Sequence, residues 1–99
     1  MISRVVFLPE AAQDVADARA WYEGQRKGLG ETFVQAIDAR INSLRANPEI
    51  HAIVRKAYRR AILSRFPYAI YYKHTGDTLE IWAVLHTSRN ATVVRRRLG

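Results

Sequence analysis

Apolar and polar positions follow two different rhythms along the chain. Residues 2–8 (ISRVVFL) are β-branched and aromatic and end at Pro9, which predicts a first strand. From Pro9 the rhythm lengthens: Ala11, Val15, Ala18 and Tyr22 recur at helical spacing, so a helix is expected through Gln25. Proline suits a helix start, and Glu10 suits the positive end of the helix dipole. Gln13, Asp14, Asp17 and Glu23 fill the polar side, while Trp21 and Tyr22 are expected as core or hairpin contacts. Gly24, Gly28 and Gly30 frame a short basic turn containing Arg26 and Lys27. A second helix is predicted over 29–46, with Phe33, Ile37, Ile41 and Leu44 as its apolar stripe and Val34 and Ala36 alongside. Asn47-Pro48 stops it, because a residue before proline disfavours helical dihedrals. Two helices joined by a short turn pack as an antiparallel hairpin, and neither buries its stripe alone, so both should lie on a sheet.

The second half supplies that sheet. Residues 58–64 alternate in part, and residues 68–74 (YAIYYKH) and 79–86 (LEIWAVLH) are strong strand patterns. Thr75-Gly76-Asp77 between the last two reads as a hairpin turn. Strict alternation places Tyr68, Ile70 and Tyr72 on one face, and Leu79, Ile81, Ala83 and Leu85 on one face. Residues 90–99 are basic and weakly patterned, and are expected to form a short helical turn or to fray. The resulting expectation is one α+β domain over residues 1–99. Its order is β-α-α-β-β-β, with a helical hairpin on a mostly antiparallel four-stranded sheet.

Composition changes this picture little. The chain has 99 residues, 48% of them hydrophobic and 25% charged, which is ordinary for a folded domain. It has no cysteine, which excludes disulfides, thiolate metal sites and cysteine nucleophiles. Its apolar runs are too short to span a membrane, and only five apolar residues follow Arg4. A cytoplasmic location is the expectation.

Charge changes it more. The net charge is +7, and it is not evenly spread. Residues 1–50 hold six Lys or Arg against seven acids, whereas residues 51–99 hold ten against only Asp77 and Glu80. Ten cations cannot be neutralised by two local acids, so an anionic partner is expected for this half. The candidate partner-binding residues are Arg55, Lys56, Arg59, Arg60, Arg65, Arg89, Arg95, Arg96 and Arg97. Lys73 and the aromatic residues Tyr58, Tyr68, Tyr71, Tyr72 and Trp82 are interleaved with them. Arginine forks fit phosphate or carboxylate, and aromatic faces stack bases; half-buried strands also favour aromatics simply as core. Residues 95–99 are expected to matter for partner binding more than for folding.

Bond-breaking chemistry finds little support. His51, His74 and His86 are scattered and have no metal-ligand spacing, so no metal or cofactor is expected. The glycines lack the strand and the Lys-Ser/Thr of a phosphate loop, and Ser64 and Ser88 lack a nucleophile elbow. His86 closes the last strong strand, where it serves either as a packed residue or as part of a site.

Taken in order along the chain, these pieces resemble the ParE/RelE toxin superfamily of bacterial type II toxin–antitoxin systems. The resemblance is carried by Val5-Val6-Phe7-Leu8-Pro9-Glu10-Ala11, by the hairpin ending at Asn47-Pro48-Glu49, and by two motifs in the sheet half. Those motifs are Arg65-Phe66-Pro67-Tyr68-Ala69-Ile70-Tyr71-Tyr72 and Val84-Leu85-His86-Thr87-Ser88-Arg89-Asn90. RelE-like members cut mRNA on the ribosome, using Arg and Lys to stabilise phosphate charge and a Tyr near the C-terminus. ParE-like members poison DNA gyrase, and an antitoxin restrains both kinds. Here Ala69 stands where RelE-like chains carry a catalytic Arg, and Val93 and Val94 stand where they carry the Tyr. Alanine and valine neither donate to a phosphate nor carry a proton. The resemblance therefore implies a ParE-like gyrase inhibitor held by a cognate antitoxin in a hetero-oligomer. Its alternatives are an mRNA endonuclease built on Arg59, Arg65, His86 and Arg89, and a degenerate toxin that only binds antitoxin and co-represses its operon.

Overall fold

A computed structural model describes residues 2–99. The order is β1 (Arg4–Phe7), α1 (Pro9–Gln25), α2 (Leu29–Ala46), β2 (Ile53–Arg55), β3 (Tyr58–Ile62), β4 (Tyr68–Thr75), β5 (Thr78–His86) and α3 (Ala91–Leu98). One five-stranded sheet runs β1-β5-β4-β3-β2. Only β1 pairs in parallel, so the α+β, mostly antiparallel expectation holds while the strand count rises by one. The additional strand is β2, a three-residue edge that pairs only through Ile53 and Arg55 and is too short to show a period of two. Its turn to β3 is tight, with Lys56 held at φ +51°.

The α1–α2 hairpin forms as the spacing predicts. Phe33, Ile37, Ile41 and Leu44 are all buried on the sheet, together with Ala11 and Ala18 of α1. At Gly30 the helices approach so closely that a Cβ would stand 2.8 Å from the Arg19 carbonyl oxygen. Glu23 tightens the same corner: its carboxylate accepts from the amides of Gly28 and Gly30, both at 3.0 Å. These bonds hold the Glu23 carboxyl below its ordinary pKa. A depressed folded-state pKa gives stability that is present above the usual carboxylate range and is lost as pH falls through the folded value. Glu23→Gln should therefore lower the melting temperature at neutral pH and flatten the acid arm of the stability curve. Melts from pH 7 down to pH 2 check this, and parallel curves for the two proteins would contradict it.

The sheet is covered on both faces, which strict alternation did not show. In β5, Ala83 faces Tyr71 but Ile81 faces Tyr72, so Trp82 is an extra residue. This bulge inverts the alternation: Leu79, Ile81 and Val84 join the hairpin-side core, whereas Ala83 and Leu85 point to the other side. The predicted common face of Leu79, Ile81, Ala83 and Leu85 is thus corrected. The second face is closed by α3. Leu98 is 2% exposed and lies in a small core with Tyr58, Ala69, Tyr71, Ala83 and Leu85. Residues 91–98 are a capped helix, not a fraying end, since Asn90 Oδ1 accepts from the Val93 amide.

Candidate functional site

Alternation along β3 decides which cations meet. Tyr58 belongs to the small core under α3, and Ala61 to the hairpin-side core, so Arg60 points to the α3 side and Arg59 to the other. Arg59 is used internally: its Nη1 donates to the Glu49 carbonyl at 3.3 Å and the His51 carbonyl at 2.7 Å. Tyr72 Oη donates to the Pro48 carbonyl at 2.8 Å, so the two residues together pin the 47–51 loop. Burial raises the Tyr72 phenol pKa, and burial followed by the Arg40 charge lowers that of His51.

Arg60 opens into a groove of about 440 Å3 between β2, β3 and α3. Arg55, Arg60, Arg89 and Arg95 line it with Tyr71, and no carboxylate of the described residues does. Arg55 donates to the Gly99 carbonyl oxygen from Nε at 3.3 Å and Nη2 at 3.1 Å, which ties the end of α3 to the groove wall. The Arg60 guanidinium lies 6.0 Å from the centre of the Tyr71 ring. Its Nε is shut off from solvent and has no hydrogen-bond partner. An unpaired buried donor is costly unless an acceptor reaches it.

Other sequence candidates lie elsewhere. Lys56 is in the exposed β2–β3 turn beside Arg55, and Arg96 is exposed on α3. Arg65 lines a separate hollow with Gln35, Arg40 and Ser43 of α2. Arg97 does not offer a free charge. Its Nη1 and Nη2 donate to Asp14 at 3.0 and 2.8 Å, and Asp14 Oδ2 also accepts from the Val84 amide beside the bulge at 2.9 Å. This clamp and buried Leu98 give residues 95–99 a part in folding, beside the partner binding expected of them.

His86 and Arg89 also line a cavity of about 500 Å3 between α1 and the end of β5, with Asp14, Asp17, Trp21, Tyr22 and Tyr68. His86 Nδ1 faces the Ser88 amide at 3.0 Å, and the ring sits edge-on to Tyr68. Trp21, expected as a core or hairpin contact, is outside the core, 59% exposed at this cavity. Arg59, Arg65 and His86 therefore share no cavity. Ala69 is fully buried, and Val93 and Val94 pack against the same small core. Among the described residues no cluster of His, Asp and Glu could hold a metal ion, and no helix is long and apolar enough to cross a membrane. The convergence of Arg60, Arg89 and Arg95 was missed from sequence, although the parity of β3 carried half of the signal.

The described geometry fits a known family. The model described as "ParE toxin of type II toxin-antitoxin system, parDE" matches residues 5–91. Among solved structures the chain is similar to "Chromosomal ParDE TA system from P. aeruginosa", with a TM-score of 0.63 and 13% identity. That likeness covers 84% of this chain and 94% of the other, and at such low identity it shows the fold alone. No curated protein matches the sequence. With the family model spanning all but the first four and last eight residues, the chain belongs to the ParE toxin family of type II toxin–antitoxin systems.

Proposed function

We propose that this ParE-family chain arrests growth by binding and inhibiting DNA gyrase, and that a cognate antitoxin neutralises it by covering the basic half. The observation that carries a binding mechanism over a cutting one is the content of the small core under α3. Within it Ala69, Val93 and Val94 present alkyl groups at the three positions where the resemblance to RNA-cutting members would place a catalytic guanidinium and a phenol. The cations that remain accessible stand on a rigid sheet and helix, which suits recognition of an anionic surface.

Purified toxin tested in two assays decides this. Gyrase supercoiling should fall and cleaved DNA complexes should accumulate, while ribosomes programmed with mRNA should yield no toxin-dependent cuts. Defined cuts within codons, with gyrase unaffected, would replace gyrase inhibition by endonuclease activity. Silence in both assays, without growth arrest on expression, would leave a protein that only binds its antitoxin.

A further inference from the structure

We propose that the groove formed by Arg55, Arg60, Arg89 and Arg95 is a phosphodiester-binding site that takes the backbone of duplex DNA. This deepens the gyrase reading, on which it rests: the toxin would grip the DNA that gyrase holds, besides the enzyme itself.

Three observations converge. Four guanidinium groups line one groove to which no side-chain carboxylate of the described residues contributes; Arg55 is bonded to the Gly99 main-chain oxygen, and Arg60 and Arg95 have no acidic partner there. The Arg60 guanidinium lies over the Tyr71 ring, 6.0 Å from its centre, with the groove as the open space beside the residue. Ala91, the first residue of α3, lines the same groove, so the positive end of an eight-residue helix dipole adds to the field. An anion filling the groove would neutralise the cluster.

Phosphate fits this set better than a peptide carboxylate. Arginine forks match phosphate oxygens bidentately, and every cation of the groove wall is an arginine, without lysine. The cations continue past the groove through Arg96 on α3 and Lys56 in the β2–β3 turn, as a repeated backbone charge requires.

The test uses the intact toxin and a fluorescein-labelled 20-base-pair duplex of arbitrary sequence, read by anisotropy across salt concentrations. Wild type should bind in a sequence-independent, salt-dependent manner. Arg60→Gln combined with Arg95→Gln should weaken binding at least about tenfold near 0.1 M salt and reduce the log–log salt slope by about 2. Because Arg60 is partly packed on Tyr71, the exposed Arg95→Gln variant alone should lower the slope by about 1 with an unchanged melt. Arg26→Gln with Lys27→Gln, in the distant α1–α2 turn, removes the same charge and should leave the slope unchanged. Equal slopes for the groove and turn variants would overturn the assignment, as would polyglutamate binding the groove more tightly than DNA. If the groove variants lose DNA binding yet wild type leaves gyrase untouched, the site stands and the gyrase target fails. If wild type inhibits gyrase and the groove variants inhibit it equally, gyrase remains the target and its DNA is not held here.

Discussion

Asp14→Ala is expected to remove about 3 kcal/mol of stability, although Asp14 lies on the polar side of α1. Its carboxylate receives two bonds from Arg97 of α3 and one from the Val84 amide of β5, so it ties three elements at one point. The Asp14 and Arg97 side chains are only 16% and 19% exposed, which places the pair well inside the solvent boundary. Losing Asp14 leaves a partly buried guanidinium with only the long bond to the Trp82 carbonyl, and a sheet-edge amide without its acceptor, and each is costly. The clamp also closes a local problem. β1 ends at Phe7, paired with Ile81, so the rest of β5 has no strand on that side. Asp14 and Arg97 occupy the edge there, with Arg97 reaching the Trp82 carbonyl at 3.4 Å. Arg97→Met should cost a similar amount, and the double variant less than the sum, because no isolated charge then remains. Urea unfolding with an unchanged m-value measures this, and strictly additive losses would show the two residues to be uncoupled. Deleting residues 95–99 should cost at least as much, since Leu98 leaves the small core as well.

These residues show where sequence is informative and where it is not. The stripe of Phe33, Ile37, Ile41 and Leu44 was legible because one helix buries one face against one sheet, and spacing alone encodes that. The partition of β5 was not legible. One extra residue at Trp82 inverts the alternation, and nothing local distinguishes a bulged residue from a paired one. Helix α3 was legible only as one of two alternatives, a short helical turn or a frayed end, for a related reason. Val93, Val94 and Leu98 are a sparse apolar set among three arginines, and they make sense only against a second sheet face. The excess charge of the basic half could be counted, but its placement could not. Arg59 and Arg60 are neighbours in sequence, yet one pins a loop through the Glu49 and His51 carbonyls and the other opens into the arginine groove. Arg95 and Arg97 diverge in the same way on α3, one into the groove and one onto Asp14.

Phe33→Ala is expected to be the most damaging single substitution, costing about 3–5 kcal/mol. The ring is fully buried at the centre of an aromatic cluster. It stacks on Tyr22 at 5.3 Å and meets Phe66 and Tyr68 edge-on at 5.3 and 5.2 Å. Burial supplies most of the cost, and the edge-on and stacked geometries add to it. Partners on α1, the β3–β4 connection and β4 all touch this ring, so the void cannot close by moving one side chain. A domain of this size has roughly 5–15 kcal/mol in total, so the variant should be close to unfolding at 37 °C. The expected fall in melting temperature is about 15 °C or more. Trp21→Ala makes the contrast that tests the explanation. Trp21 is larger and touches the same Tyr22 edge-on at 5.0 Å, yet it is exposed, so its removal should cost within about 0.5 kcal/mol. Equal losses for the two variants would mean that Trp21 is buried in solution and that the α1–β5 cavity is closed. A large loss at Phe33 alone would show that the cluster holds the hairpin to the sheet while Trp21 stays exposed at the cavity mouth.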